Sequence, residues 1–303
     1  MNIYNQLQEN YPQLHIKIDE PLANYSYTKT GGPADVIVFP KSVEEVGQVV
    51  TWTHDHNLPL TIFGNLSNLI VRDGGIEGVV IILTDMTVTQ VDSKGIYAYS
   101  GASLIETSRL ALQHQMTGLE FACGIPGSIG GAVFMNAGAY GSEVKDCIAY
   151  VDVMTADGQV HRIDNADCDF AYRYSIFQDQ ETIILGAYFK LQEGDPEAIQ
   201  AEMHRLTELR ESKQPLEYPS CGSVFKRPEG HYTGKLIQDA GLQGYRIGGA
   251  EISKKHAGFI VNIDGATATD YTDMITYIQK RIMEEYGVAL ETEVRILGRD
   301  QSS

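Results

Sequence analysis

Two short stretches carry side chains that could take part in catalysis. In YRYS, residues 172–175, Arg173 stands among aromatic residues. A fixed cation there could stack near an oxyanion or a flavin ring, although an arginine that snorkels from a loop is the commoner case. In PSCGSVFKRP, Ser223 has no histidine base nearby in the sequence, which argues against a nucleophile. Its hydroxyl could still donate a proton if the flanking cations favour ionisation, but turn serines are more often structural.

A third candidate, LETEVR, lies within residues 288–297 near the C-terminal end. Alternation of polar and apolar residues predicts a strand here, with Glu291, Glu293 and Arg295 on one face. A charged triplet on a strand is often only a solvent face. If that face looks into a basic site, a carboxylate beside Arg295 would act as an electrostatic partner or an acid.

Glycine is concentrated in residues 124–141, GIPGSIGGAVFMNAGAYG, where it accounts for six of eighteen residues. Such a cluster indicates backbone at φ > 0 or close approach of the main chain to a ligand. The middle predicts a short buried helix, residues 129–135, whose unpaired N-terminal amides would hold an anion. The spacing GxxGxxG differs from the dinucleotide fingerprint, so we expect a phosphorylated ligand but no doubly wound dinucleotide fold.

A second glycine-led turn, GNLSN at residues 64–68, follows a predicted strand. A polar hairpin turn is the simpler interpretation. The functional alternative is a phosphate-cradling loop of backbone amides and the Ser67 hydroxyl; it is not a P-loop, because no Lys-Ser or Lys-Thr follows. Leu66 stands inside this turn, and since leucine resists φ > 0, we expect αR or β backbone there.

Charge limits the partners of this 303-residue chain. A net charge of −17 argues against non-specific binding to nucleic acid or to anionic membranes. Between Lys213 and Lys255, however, seven basic residues outnumber four acidic ones, a local net charge of +3. We expect an anion such as a diphosphate to dock in this segment, while some of its lysines are simply solvated.

Other features of the sequence are typical of a cytoplasmic protein without metal. The four cysteines show no CxxC spacing, which favours free thiols over a zinc or disulfide framework. The polar start MNIYNQLQEN lacks the apolar core of a signal peptide. No apolar run is long enough to span a bilayer, so we expect no membrane insertion.

Periodicity predicts a chain of mixed helices and strands in three units. Residues 1–26 form a short polar helix and a linker, residues 27–90 a strand–helix–strand unit, residues 91–192 a second unit with several strands, and residues 193–303 a third. Spacings of the S-x-x-E type at Ser42 and Ser103 predict capped helices. Asp157-Gly158 predicts a hairpin turn, and Gly287 the end of the last helix.

Taken together, these stretches resemble the UDP-N-acetylenolpyruvoylglucosamine reductases, flavoenzymes that make UDP-N-acetylmuramate for bacterial peptidoglycan and hence for cell-wall biogenesis, cell shape and division. The resemblance spans about residues 27–298. Its motifs occur in order: TKTGGPAD, GNLSNLIV, GIPGSIGGAVFMNAGAYG, YRYSIF, CGSVFKRP, KLIQDAGLQGYRIGGAEIS, HAGFIVN and LETEVR. It implies two FAD-binding subdomains of the vanillyl-alcohol-oxidase type, followed by an α+β substrate-binding domain.

The resemblance also implies roles for particular residues. Ser223 matches the proton donor, and Arg173 and Glu293 match the pair that stabilises an enolate-like intermediate. Substrate would contact Tyr172, Lys226, Arg227, His256 and Arg295. Non-covalent FAD would contact Gly64, Asn65, Ser67, Asn68, Leu69, Gly124, Pro126, Gly127, Ser128, Gly130, Gly131, Asn136, Gly138 and Tyr140.

The implied reaction has two halves: NADPH reduces FAD, and the reduced flavin then passes a hydride to the vinyl carbon of the enolpyruvyl nucleotide sugar. The family's first loop usually reads GxGSN, so Leu66 is a departure. No tyrosine-bearing loop is inserted after YRYS, which is typical of the compact type of the family. We expect a monomer or a weak oligomer.

Two alternatives remain open at the level of sequence. An FAD oxidase of the same fold would often tether flavin through a histidine near the first loop, but none lies in residues 62–73, and the basic third domain suits a nucleotide sugar better. A non-catalytic nucleotide-sugar-binding protein is the other alternative. Retention of Arg173, Ser223 and Glu293 together argues against it.

Overall fold

The computed structural model describes residues 3–301, and it divides the chain into two compact units. The first unit comprises the chain up to Ile18, Val36–Asn65 and Gly78–Arg210. The second comprises Asp19–Asp35, Leu66–Glu77 and the chain from Glu211 onward. Within the described residues, no helix combines the length and the hydropathy needed to cross a membrane.

The α-helices are α1 (Ile3–Asn10), α2 (Val43–Asp55), α3 (Leu104–Gln113), α4 (Ile129–Phe134), α5 (Pro196–Lys213), α6 (Thr233–Asp239) and α7 (Ala268–Tyr286). The strands are β1 (His15–Pro21), β2 (Pro33–Phe39), β3 (Leu60–Phe63), β4 (Leu69–Val71), β5 (Ile76–Ile82), β6 (Thr89–Asp92), β7 (Gly95–Tyr99), β8 (Met116–Thr117), β9 (Gly138–Ala139), β10 (Ser142–Glu143), β11 (Ile148–Thr155), β12 (Val160–Asp164), β13 (Thr182–Lys190), β14 (Gln192–Glu193), β15 (Ser220–Ser223), β16 (Arg246–Ile247), β17 (Ala250–Ile252), β18 (Phe259–Asn262) and β19 (Arg295–Leu297).

An α/β layer occupies the early part of the first unit. Its sheet has the order β1-β2-β5-β3, with β3 and β5 parallel. Helix α2 begins as predicted, since the Ser42 side chain accepts a hydrogen bond from the Glu45 amide. The apolar face of α2 packs into a core with the strands, centred on Val46, Val49 and Val50.

An antiparallel sheet of order β12-β11-β13-β7-β6 forms the second layer of the first unit. Asp157-Gly158 makes the predicted hairpin between β11 and β12, with Gly158 at φ 80°. One face of the sheet packs against α3 and α4 through residues such as Ile96, Val151 and Phe189. Ser103 caps α3 by accepting a hydrogen bond from the Glu106 amide, as its spacing predicts.

The second unit contains an antiparallel sheet of order β15-β18-β17-β16. Helix α7 contributes Tyr271, Met274 and Ile278 to the core of this unit. The helix begins at a capping box formed by Thr267 and Asp270, and Gly287 ends it at φ 66° as predicted.

The structure corrects two predicted elements. His15–Pro21 is a strand rather than a linker; its charged residues suit an edge position in the sheet. The predicted strand over residues 288–297 shortens to Arg295–Leu297. The Val224 carbonyl accepts hydrogen bonds from the successive amides of Glu293 and Val294, at 2.8 and 3.2 Å, and a regular ladder does not allow this pairing.

Candidate active site

The two glycine loops meet in the first unit. A Cβ atom at Gly64 would come within 2.3 Å of the Ser128 hydroxyl oxygen and 3.6 Å of the Gly131 nitrogen. The loop after β3 can therefore approach the start of α4 only because position 64 has no side chain. Pro126 and Gly127 lie directly before this contact, and the Gly127 carbonyl accepts the Leu104 amide.

Helix α4 forms where the sequence predicts it, but its first amides are not available to an anion. The Ile129 amide donates to the Ala102 carbonyl, and the Gly130 amide donates to the Ser100 carbonyl, both at 2.9 Å. The Gly131 amide donates to its own cap, the Ser128 side chain. The prediction of an anion site at the unpaired helix N-terminus is therefore wrong, because the preceding loop already satisfies these donors.

Arg210 is a candidate residue that the sequence reasoning missed. A Cβ atom at Gly124 would lie 2.8 Å from Arg210 Cδ, so the arginine stem covers the glycine. Burial lowers the pKa of this guanidinium, and no carboxylate within residues 3–301 forms an ion pair with it. The sequence pattern of α5 could have indicated this residue. Met203 and Leu206 are buried, and position 210 falls on the same face of the helix.

Even a partly buried cation is costly when no carboxylate or other anion accompanies it. Arg210 therefore fits the pyrophosphate of FAD, which would bring its own negative charge to Gly124. Tyr140 lies nearby at φ 56°, about half exposed, with its hydroxyl 3.4 Å from the Leu206 carbonyl. The residues present are thus compatible with the cofactor.

Arg173 occupies a tight turn in the first unit. Ala171 and Tyr174 exchange hydrogen bonds across the turn, and Arg173 itself has φ 56°. Its guanidinium donates to the Gly138 carbonyl at 3.2 Å and lies 5.1 Å from the centre of the exposed Tyr172 ring. The strained backbone is typical of residues held for a function.

The Asn136 side chain stabilises this turn through hydrogen bonds. It is fully buried at φ 43°. Its Nδ2 donates to the Ala171 carbonyl and to Glu143, while its Oδ1 accepts the Lys145 amide. The side-chain amide is therefore engaged by the protein, although the resemblance implies a cofactor contact at this position.

Part of the first loop lies beside LETEVR in the second unit. Asn68 Nδ2 donates to the Glu293 carbonyl, and the Arg295 amide donates to the Asn68 carbonyl, both at 3.2 Å. The strand that begins at Leu69 then pairs in parallel with the strand that begins at Arg295. Asn68 and Glu293 are 225 positions apart in the sequence, and these bonds hold them side by side.

Ser223 adjoins Glu293. The Glu293 amide donates to the carbonyl of Val224, the residue after Ser223. Ser223 is exposed, and its hydroxyl has no hydrogen-bond partner within residues 3–301. Cys221 is 2% exposed, and burial raises the pKa of its thiol to about 12, so the serine is the accessible group of the pair.

The cations implied for substrate binding differ in their surroundings. Lys226 lies 3.4 Å from Glu291 on the surface. The Arg227 guanidinium lies 3.9 Å above the exposed Tyr232 ring, an aromatic neighbour that the sequence reasoning also missed. Arg295 is partly buried, and burial lowers its pKa.

His256 is held in one tautomer. Its Nδ1 accepts a hydrogen bond from the Gly258 amide at 3.1 Å, which leaves the proton on Nε2. Burial lowers the pKa of the ring, so this neutral donor persists at pH 7.

The remainder of the basic segment is partly neutralised by the protein itself. Arg246 and Lys254 both contact the buried carboxylate of Glu251, and Lys235 pairs with Asp239. Lys226 has an ion pair of its own with Glu291, so neutralisation by carboxylates does not set it apart from these cations.

Leu66 contradicts the expectation of αR or β backbone. It has φ 48° and its side chain is 3% exposed. Its carbonyl accepts the Tyr27 amide at 3.2 Å. The loop therefore takes the left-handed turn that glycine would allow, and burial of the leucine side chain offsets the backbone strain.

Fold and site together define a flavoprotein with an FAD-binding region followed by an α+β domain. A family model for an FAD binding domain matches residues 34–164. A second model, the C-terminal domain of UDP-N-acetylenolpyruvoylglucosamine reductase, matches residues 214–297. The chain belongs to the UDP-N-acetylenolpyruvoylglucosamine reductase family, which confirms the resemblance and the predicted fold class.

The similarity to individual members extends over nearly the whole chain. A reductase of this name from Pediococcus pentosaceus is 54% identical over 97% of this chain and 98% of the relative. One from Limosilactobacillus fermentum is 57% identical over 95% of this chain and 96% of the relative. The crystal structure of the Thermus caldophilus reductase matches with a TM-score of 0.80 and 32% identity, covering 93% of this chain and 98% of that one.

Proposed function

We propose that this chain catalyses the NADPH-dependent reduction of UDP-N-acetylglucosamine enolpyruvate to UDP-N-acetylmuramate. The observation that carries the proposal is the pairing of the Ser223 segment with the Glu293 segment in the second unit, where the Glu293 amide bonds to Val224. In a member of this reductase family, that pairing brings the segment with the exposed Ser223 beside the segment that carries Glu293.

FAD, when bound, supplies the hydride transfer between nicotinamide and substrate. Gly64, Gly131 and Ser128 would lie beside it, since the absence of a side chain at Gly64 lets the two loops approach each other closely. Arg210 would neutralise its pyrophosphate. We propose the remaining residues of the two glycine loops as further contacts, with Asn136 acting by positioning the Arg173 turn.

On the substrate side, Ser223 would protonate the carbon next to the carboxylate, with its hydroxyl acting as general acid. Arg173 and Glu293 would stabilise the charge that develops on the conjugated carboxylate, as donors in an oxyanion site do. Lys226, Arg227 and Arg295 would bind the anionic groups of the nucleotide sugar. His256 would donate from Nε2, and Tyr172 would contact the substrate at the tip of its turn.

We further propose that residues 27–90 and 91–192 are the two FAD-binding subdomains and that residues 193–303 bind the substrate. The protein would act in the cytoplasm, as a monomer or a weak oligomer. The high negative charge of the chain supports the expectation of no nucleic-acid partner.

The test is spectroscopic. The purified protein should be yellow with non-covalent flavin, lose its visible absorbance when NADPH is added without oxygen, and regain it with the enolpyruvyl nucleotide sugar. A protein that regains colour only with oxygen would contradict the assigned substrate. A correctly folded protein without flavin absorbance would contradict the flavoenzyme assignment.

A further inference from the structure

A cleft of about 420 Å³ lies on the face of the second sheet of the first unit that points away from α3 and α4. Its walls include Tyr97, Tyr99, Tyr150 and Tyr188, which we call the tyrosine cluster. Neighbouring residues on the same strands, such as Ile96 and Phe189, point to the helices instead. The volume falls in the range of small-molecule sites, about 300–1,000 Å³.

The rings of the tyrosine cluster are set at fixed angles around this space. Tyr150 and Tyr188 stack at 5.3 Å with an interplanar angle of 9°. Tyr97 and Tyr99 meet edge to face at 5.5 Å and 88°. Gly186 makes room for the Tyr97 side chain, because a Cβ atom at position 186 would lie 2.7 Å from the Tyr97 hydroxyl oxygen. The cluster therefore presents both ring faces and ring edges to the cleft.

Charge in the cleft has a defined sign. Asp152 is bound by the Arg162 guanidinium through two bonds of 2.8 and 3.1 Å. Asp92 accepts from the neutral Tyr188 hydroxyl at 2.8 Å and from the Lys94 amide at 2.7 Å. These neutral donors leave the negative charge of Asp92 in place, and together with the Lys94 side chain nearby they lower its pKa. Asp92, Asp152 and Arg162 give the lining residues one more negative than positive charge, and Lys94 lies near Asp92 outside this lining.

The cleft already accommodates one cation of the chain. The Arg162 guanidinium carbon lies 3.6 Å above the centre of the Tyr150 ring. This is the arrangement in which the negative face of an aromatic ring attracts a cation. The same chemistry, with Asp92 as counter-ion, is available to a ligand that lies in the cleft against the tyrosine cluster.

We propose that the tyrosine cluster and Asp92 form a binding site for a small organic cation with an alkylated ammonium group. Ring faces and a carboxylate favour such a group over an anion, and the net charge of −17 favours it at long range. The site is independent of the proposed reductase activity, since none of its residues belongs to the candidate active site.

The experiment titrates the flavin-loaded protein with choline and, in parallel, with 3,3-dimethylbutan-1-ol, a neutral molecule of the same shape. Binding is followed by calorimetry and by ligand-observed NMR. Choline should bind saturably and the neutral molecule at least about fivefold more weakly, because it lacks the cation–π and ionic terms. Equal binding of both, or no saturable binding of choline, would overturn the proposal.

Variants locate the binding to the cleft. Asp92→Asn should weaken choline binding at least about fivefold, and Tyr188→Leu should weaken it further, whereas Tyr188→Phe keeps the ring and most of the binding. Glu193→Gln, an exposed carboxylate on β14 outside the cleft, is the matched control. Flavin absorbance and bleaching by NADPH verify the fold of each variant. Unchanged choline binding in Asp92→Asn would contradict the site.

Discussion

At the scale of single residues, burial and hydrogen bonding distinguish groups that are available to a ligand from groups that serve the fold. Ser223 is exposed and Cys221, two positions earlier, is buried. Arg210 is partly buried, and burial lowers its pKa, whereas Arg205 on the same helix is exposed and paired with Glu202. Two substitutions test the roles assigned to the available groups.

Replacing Ser223 by alanine should affect only one half of the reaction. Bleaching by NADPH should stay near the wild-type rate, because no proton is needed from the serine in that step. Recolouring by the enolpyruvyl substrate should slow by about 10²–10⁴-fold, the usual contribution of a general acid. Stopped-flow absorbance measures both, with Ser220→Ala on the same strand as control. Equal slowing of both halves would rule out the proton-donor role.

Replacing Arg210 by methionine should weaken FAD binding by about 10–100-fold, since a hydrogen bond to a charged group contributes about 1.5–3 kcal/mol. Arg210→Lys should restore part of the loss. The flavin-to-protein ratio after gel filtration, and fluorescence titration of the apoprotein, measure the effect. Arg205→Met is the matched control on the same helix. Full flavin retention in Arg210→Met would show that the guanidinium has another partner.

At the scale of elements, close contacts determine which glycines the short helix α4 requires. A Cβ atom at Gly130 would lie 1.8 Å from the Ser100 hydroxyl oxygen, whereas at Gly131 its nearest neighbour, the Ser128 hydroxyl oxygen, is 3.6 Å away. The first position is fixed by packing against the loop that satisfies the helix amides. Position 131 has room for a methyl group when no cofactor is bound.

The two glycines should therefore respond differently to alanine. Gly130→Ala should lower the free energy of unfolding by about 1–3 kcal/mol through overpacking. Gly131→Ala should leave it unchanged or raise it by up to about 1 kcal/mol, because alanine is the better helix former. Urea denaturation of the apoproteins compares them. If Gly131 borders the cofactor, its variant should also lose flavin affinity while keeping its stability. Equal destabilisation by both would contradict the packing argument.

At the scale of the whole molecule, the negative net charge and the local cations act in opposite directions on an anionic substrate. The chain carries −17 overall, and several cations of the basic segment are paired with Asp239 or Glu251. Attraction of a diphosphate must then come from the few cations beside Ser223 and Glu293. Stability at the level of the molecule also depends on pH through buried titrating groups.

His256 should contribute to loss of stability in mild acid. Its folded-state pKa is lowered by burial, so the unfolded chain binds the proton more readily, and stability falls as the pH drops below about 6.5. His256→Gln should flatten this part of the stability curve between pH 7 and 5. Calorimetry across that range measures it, with the exposed His231→Gln as control. An unaltered pH profile in His256→Gln would contradict the assignment.

The sequence alone determined the family, the starts of α2 and α3 and the end of α7, although it missed β1 as a strand. The caps at Ser42, Ser103 and Gly287 form hydrogen bonds with residues three or four positions away. Such local interactions can be predicted from the spacing of residues in the sequence. The tertiary structure decided what depends on partners far along the chain. The Ser100 and Ala102 carbonyls occupy the α4 amides, Arg210 covers Gly124, and burial of its side chain lets Leu66 adopt positive φ. Those outcomes follow from packing and hydrogen-bond competition between distant segments; spacing within α5 gives the helical face of Arg210 but not its partner Gly124.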